Sequence, residues 1–111
     1  MLYYLAYAHD RQGNLTAARE RAEASLKQDS QSPEANKLLS RILFKQGQAA
    51  AALEFLEKAI AQKPLDSESR FLRARICRQL GRAKDAAREF AEVEQLKAKE
   101  REREDVQNRR P

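Results

Sequence analysis

Three stretches of the chain share one arrangement of apolar and polar positions, each ending at one of its three glycines, Gly13, Gly47 and Gly81, which lie 34 residues apart. Counting back eleven, eight, seven and four residues gives Leu2, Leu5, Ala6 and His9, then Asn36, Leu39, Ser40 and Leu43, then Arg70, Arg73, Ala74 and Cys77. Spacings of three, one and three put each set on one face of a helix. The residue seven before the glycine is small every time, so a second helix can approach closely there. The third stretch fits least well: Arg70 and Arg73 hold apolar places, while Phe71, Leu72 and Ile76 predict a slightly rotated buried face.

A second helical pattern follows each glycine at five, nine, twelve and thirteen residues: Ala18, Ala22, Ser25 and Leu26, then Ala52, Leu56, Ala59 and Ile60, then Ala86, Phe90, Val93 and Glu94. Alanine recurs where the two helices should be tightest. Glycine between them supplies the positive φ of a helix C-cap. Each unit therefore reads as helix, tight turn, helix. At the boundaries, Ser32-Pro33-Glu34 reads as N-cap, first-turn proline and an acid near the positive end of the helix dipole. Pro64 ends the preceding helix, and Asp66 is placed to cap the next.

A fixed period of this size marks a stacked repeat, in which each unit buries its face against its neighbours. The pattern resembles the tetratricopeptide repeats: helix pairs with small residues at the contact, a turn glycine, an alanine five residues later and a proline at the boundary. The stretch from Pro33 to Asp66 matches best, through Leu39, Ser40, Leu43, Gly47, Ala52, Leu56, Ala59, Ile60 and Pro64, and the resemblance covers residues 2 to 98. It implies an all-α fold, an α-solenoid of three antiparallel helix pairs in a right-handed superhelix, with units at 1–31, 32–65 and 66–98. Residues 99–111 are read as a charged helical extension.

Two departures from the family pattern stand out. The first helix begins about two residues short, as though the unit were truncated, which would leave Tyr3, Tyr4 and Tyr7 near a surface that an earlier helix would cover. At the other end, Leu96 to Gln107 alternates basic and acidic residues among good helix formers, with acid-base pairs three or four residues apart. This is read as a prolongation of the last helix that caps the stack, with Asn108 to Pro111 frayed.

Composition narrows the function. With 111 residues, 41% hydrophobic and 35% charged, the chain suits one domain of modest core. The apolar start lacks the features of a secretory signal, and no run approaches a membrane span, so no membrane insertion is expected. The chain reads as soluble, with the cytoplasm favoured and export left open by the shortened first unit. Cys77 is alone and His9 is the single histidine; both read as packing residues. No phosphate-cradling glycine loop or metal-ligand spacing is present, and no cofactor is implied. Carboxylates interleave with lysine and arginine, the signature of surface pairing rather than of pKa-shifted acids. The chain is read as no enzyme.

A second stripe on the first helix of each unit, ten, six, three and two residues before the glycine, is basic with aromatics interleaved: Tyr3, Tyr7, Asp10 and Arg11, then Lys37, Arg41, Phe44 and Lys45, then Phe71, Arg75, Arg78 and Gln79. In proteins of the resembled family this surface lines a concave groove. With a net charge of +5, it reads as the docking surface of a scaffold for a protein or peptide, an acidic one in the narrower form. Candidate contacts are Tyr3, Tyr7, Arg11, Lys37, Arg41, Phe44, Lys45, Phe71, Arg75 and Arg78. Against this stands packing: Phe44 and Phe71 could fill space between units while the charges are merely solvated. The family's clamp for the C-terminal carboxylate of heat-shock chaperones is not expected, because the matching places hold Tyr3, Tyr7, Leu38, Glu68 and Leu72, without the required donors. Two further readings are a helical-repeat nucleic-acid binder, using arginines beside aromatics, and self-association through the first helix.

Overall fold

The computed structural model describes residues 2–108, the side chains of Leu2 and Asn108 excepted. Six helices follow in order: α1 (Leu2–Arg11), α2 (Leu15–Gln28), α3 (Pro33–Lys45), α4 (Ala49–Gln62), α5 (Ser67–Gln79) and α6 (Ala83–Asn108). No strand occurs among the described residues. The chain divides into two compact units, Met1–Pro64 and Leu65–Pro111. The first holds the pairs α1/α2 and α3/α4, with α3 also packed on α2 and α1; the second holds α5/α6.

The glycine turns are copies of one another. Gly13, Gly47 and Gly81 have φ of 78°, 80° and 79°. In each turn the residue after the glycine returns its N–H to a carbonyl five residues back: Asn14 to His9, Gln48 to Leu43 and Arg82 to Cys77, at 2.8–2.9 Å. This six-to-one bond is the Schellman closure, which satisfies a carbonyl the helix end leaves open and turns the chain for the next helix.

Small residues do mark the helix contacts. Ala6, Ser40 and Ala74 on the first helices, and Ala18, Ala52 and Ala86 on the second, are all buried. In the middle pair the approach is close enough for Ser40 Oγ to donate to the Ala52 carbonyl at 2.7 Å. Leu39, Leu43, Leu56 and Ile60 complete the apolar seam there, and Val93 and Cys77 belong to that of α5/α6. Burial raises the pKa of the Cys77 thiol, and Glu89 adds to the effect.

Some expectations need correction. One face was assigned to α3, yet Ala35, Leu38 and Ile42 are buried as well, because α3 packs on α2 in addition to α4. Leu5 is half exposed although its repeat equivalent Leu39 is buried; Leu39 is enclosed by both α2 and α4, whereas α1 has no earlier helix beside it among the described residues. Glu94 is exposed, as its charge requires. Arg70 and Arg73 reach across to α6 and pair with Glu92 and Glu89 at 3.3 and 2.6 Å, so ion pairs replace apolar packing. Ser32 caps α3 through the Ala35 N–H, but Asp66 makes no side-chain bond to the backbone of α5; its carboxylate accepts from the Ser69 hydroxyl at 2.8 Å. An unforeseen cap is Asn14, whose side chain accepts from Ala17 N–H.

The charged extension is helical, continuous with α6. Lys99 to Gln107 are exposed at every position, and among the described residues no ion pair joins their alternating charges. This segment is held by its own backbone bonds and by helix propensity. The expectation of fraying at Asn108 to Pro111 lies largely outside the described residues; Asn108 ends α6.

Candidate peptide-docking face

The stripe on α1 and α3 is organised around one buried acid. Helical spacing sets Asp10 on the side of α1 that meets α3, and Arg41 and Lys45, four residues apart, on the facing side of α3. Arg41 donates to Asp10 Oδ2 through Nε at 2.9 Å and Nη2 at 2.6 Å, and Lys45 Nζ donates to Oδ1 at 2.8 Å. Both carboxylate oxygens are thereby taken. The Asp10 side chain is 1% exposed, against 33% for Arg41 and 44% for Lys45. Burial by itself would push the Asp10 pKa up; the hydrogen bonds from Lys45 and Arg41 and their charges outweigh it and hold the carboxyl below its ordinary value.

The pairing changes the meaning of two candidate residues. Arg41 and Lys45 were expected to await a partner's carboxylates, and they already hold one from their own chain. Each nevertheless keeps a solvent-facing side. The Arg41 guanidinium also lies over the Tyr7 ring, 5.9 Å from its centroid, a geometry worth about 0.5–1 kcal/mol at an open site. Tyr7, 41% exposed, thus sits on a fixed cation. Tyr3 is half-buried beside it, with ring centroids 6.5 Å apart. Burial raises the Tyr3 pKa, with Glu34 adding to it and Arg41 and Lys37 opposing. Arg11 is exposed in the last turn of α1, and Lys37 and Phe44 are half-buried on α3.

In the second unit the stripe is built differently. Phe71, Arg75 and Arg78 are exposed on α5. Phe71 meets Phe90 of α6 edge-on, with ring centroids 5.6 Å apart. Lys97 lies over the Phe71 ring at 5.3 Å and Arg78 over the Phe90 ring at 5.5 Å. Phe71 therefore packs within its own helix pair and shows its remaining surface to solvent. Phe90 and Lys97 were absent from the sequence-derived site; only the fold shows that α6 supplies them. The structural role of Asp10 was also missed, though an acid three residues before one glycine and bases six and two before the next is a spacing the sequence displays.

No group of histidine, cysteine and acidic residues among the described residues is arranged to hold a metal, and no described helix is long and apolar enough to cross a membrane. The Nδ1 of His9 is buried without a hydrogen-bond partner.

Comparison with known proteins supports the repeat reading. Three solved structures share the fold at low sequence identity. The chaperone SycD of the Yersinia enterocolitica type III secretion translocator aligns with a TM-score of 0.84 and 19% identity, over 97% of this chain and 74% of that one. MamA aligns at 0.82 and 19%, over 91% of this chain, which spans 59% of the MamA chain. The first repeat domain of Spaghetti (RPAP3), solved with a bound HSP90 peptide, aligns at 0.81 and 17%, over 86% and 75%. The common fold is an all-α helical-repeat solenoid. No curated protein matches the sequence. The family model for the tetratricopeptide repeat matches twice, at residues 3–67 and 38–100. With its three turn glycines in one geometry and small residues at the contact within each helix pair, the chain belongs to the tetratricopeptide repeat family, and it is a protein-interaction module.

Proposed function

We propose that the chain is a non-catalytic scaffold that takes an acidic peptide segment on the α1/α3 face. The observation that carries this is the exposed Tyr7 ring seated on Arg41, which Asp10 fixes in place. A rigid aromatic beside partly open cations suits a carboxylate-bearing peptide, because the ring buries apolar area while the cations need no ordering on binding. Arg41 and Lys45 present their solvent sides to it, and Arg11 and Lys37 widen the positive field. Among the structural neighbours, SycD has been solved with a peptide of the translocator YopD, and the Spaghetti domain binds an HSP90 peptide ending Glu-Glu-Val-Asp. The α5 stripe of Phe71, Arg75 and Arg78 is a separate candidate contact.

The test is anisotropy of a labelled acidic peptide with the wild-type chain and with Tyr7→Ala and Arg11→Glu, both at exposed positions. Weakening of about tenfold in each is expected, a loss on the order of 1.4 kcal/mol. Equal affinity in all three proteins would remove this face from consideration. Single-stranded RNA in the same assay separates the nucleic-acid reading, which requires affinity falling steeply with salt.

A second reading, self-association through α1, draws on the exposure of Tyr4, at 73%, and of Leu5. Sedimentation over a concentration series, with Tyr4→Ser as control, tests it: a concentration-independent monomer rejects it.

A further inference from the structure

Among the described residues, α2 and α4 both pack on α3 but not on each other. The gap between them is an open pocket of about 440 Å³, within the size range of ligand sites. At 100° per residue, Leu39 and Leu43 lie across α3 from Lys37, Arg41 and Lys45, and there they floor the pocket. Leu26 of α2 and Ala51 and Phe55 of α4, all half-buried, form its walls. A stacked repeat does not dictate such a lining: one period later Arg73 and Glu89 hold the places of Leu39 and Phe55.

The charge of the lining is positive. Arg19 and Glu23 satisfy each other at 2.7 Å. Lys27 on α2 and Lys58 on α4 are exposed members of the lining, and among the described residues neither forms an ion pair. Lys58 Nζ lies 5.3 Å from the Phe55 ring centroid, so cation and apolar wall adjoin. A neutral apolar ligand would cover the walls and leave both ammonium groups unmatched, and a cationic one would meet like charge. Aspartate and glutamate side chains carry too few methylenes to cover these five apolar groups. A longer aliphatic chain ending in an anion answers both the walls and the lysines.

We propose that this pocket takes a small amphipathic anion, a medium-chain fatty carboxylate, its chain against Leu26, Leu39, Leu43, Ala51 and Phe55 and its carboxylate held by Lys27 and Lys58. The ligand differs in class from the peptide of the α1/α3 face, and the site is independent of that face.

Calorimetric titration of the whole chain with sodium octanoate tests this, beside hexanoate, octanol and octylamine. Octanoate should saturate a single site. Hexanoate should bind more weakly by roughly fourfold for each methylene removed, octanol by roughly threefold to tenfold for want of the charge, and octylamine should not bind. Lys27→Gln with Lys58→Gln should bring octanoate to the affinity of octanol and leave octanol binding as it is. Ala51→Trp, which fills the pocket from its wall, should abolish octanoate binding with unchanged circular dichroism. Tyr7→Ala, on the other face, should leave octanoate affinity as it is; because no peptide is used, the result does not depend on the α1/α3 reading. No saturation at millimolar octanoate, octanol bound as tightly as octanoate, unchanged octanoate affinity in the double lysine variant, wild-type affinity in Ala51→Trp, or loss of binding in Tyr7→Ala would each overturn the proposal.

Discussion

Arg73 Nη2 stands 2.6 Å from Glu89 Oε1, joining α5 to α6 one 34-residue period after Leu39 and Phe55, which line an apolar pocket in the preceding pair. The same two places in the repeat thus hold a largely buried ion pair in one helix pair and apolar groups in another. Taking two charges out of water costs nearly what their attraction returns. The double variant Arg73→Leu with Glu89→Phe should therefore be as stable as the natural chain or more so. Arg73→Leu alone should lose on the order of 3–5 kcal/mol, because Glu89 is left charged and mostly buried. Urea unfolding of the variants checks both; a double variant as unstable as the single one rejects the argument.

Acid should loosen the junction of α1 with α3. The Asp10 carboxyl has its pKa lowered in the fold, so its contribution is present above the ordinary aspartate value of about 3.9 and fades as pH falls through the lower folded value. Unfolding midpoints in urea should drop below about pH 4 in the natural chain. Asp10→Asn should start lower and lose less over the same interval. Parallel pH profiles for the two proteins reject the assignment.

Removing both donors is a harsher change than removing the acceptor. Arg41→Ala with Lys45→Ala leaves a buried carboxylate without partners, and a loss of about 3–5 kcal/mol is expected. Asp10→Asn leaves two cations that can turn to water, for about 1–3 kcal/mol. Denaturant titration orders the two.

The seam between α3 and α4 should reject bulk. Ala52 is fully buried and its carbonyl accepts from Ser40, so Ala52→Leu is expected to cost roughly 1–3 kcal/mol by overpacking. Gly47→Ala should cost about 1 kcal/mol for a different reason: nothing lies within 4 Å of an added Cβ, and only the φ of +80° is unfavourable. Thermal melts of both variants, with that of Ala50→Ser at an exposed site as reference, check the order.

Truncation after Ala98 should lower the total helix signal in circular dichroism while leaving the unfolding midpoint nearly unchanged. The exposed residues 99–107 bury no side chain, and surface positions of this kind seldom move stability by more than about 0.5 kcal/mol. A fall of several degrees would show that the extension supports the pair it grows from.

The period of the three glycines fixed the element order, the positions of the turns and the small residues at each helix contact. These follow from local rules: a helix repeats every 3.6 residues, a left-handed C-cap favours glycine, and close helices need small side chains. Which side of each helix meets a second neighbour was not legible, because α3, where Ala35, Leu38 and Ile42 are also buried, packs on α1 and α2, one unit earlier, as well as on α4. The sequence also showed the positive charge of Arg41 and Lys45 without showing that Asp10, 31 and 35 residues away, already answers it. Likewise it gave Leu39 and Arg73 equivalent places and left their environments to be set by Phe55 and Glu89 on the following helix. Side chains far apart in the chain met only when the helices packed, and their distance and desolvation decided which charges hold the fold and which face a partner.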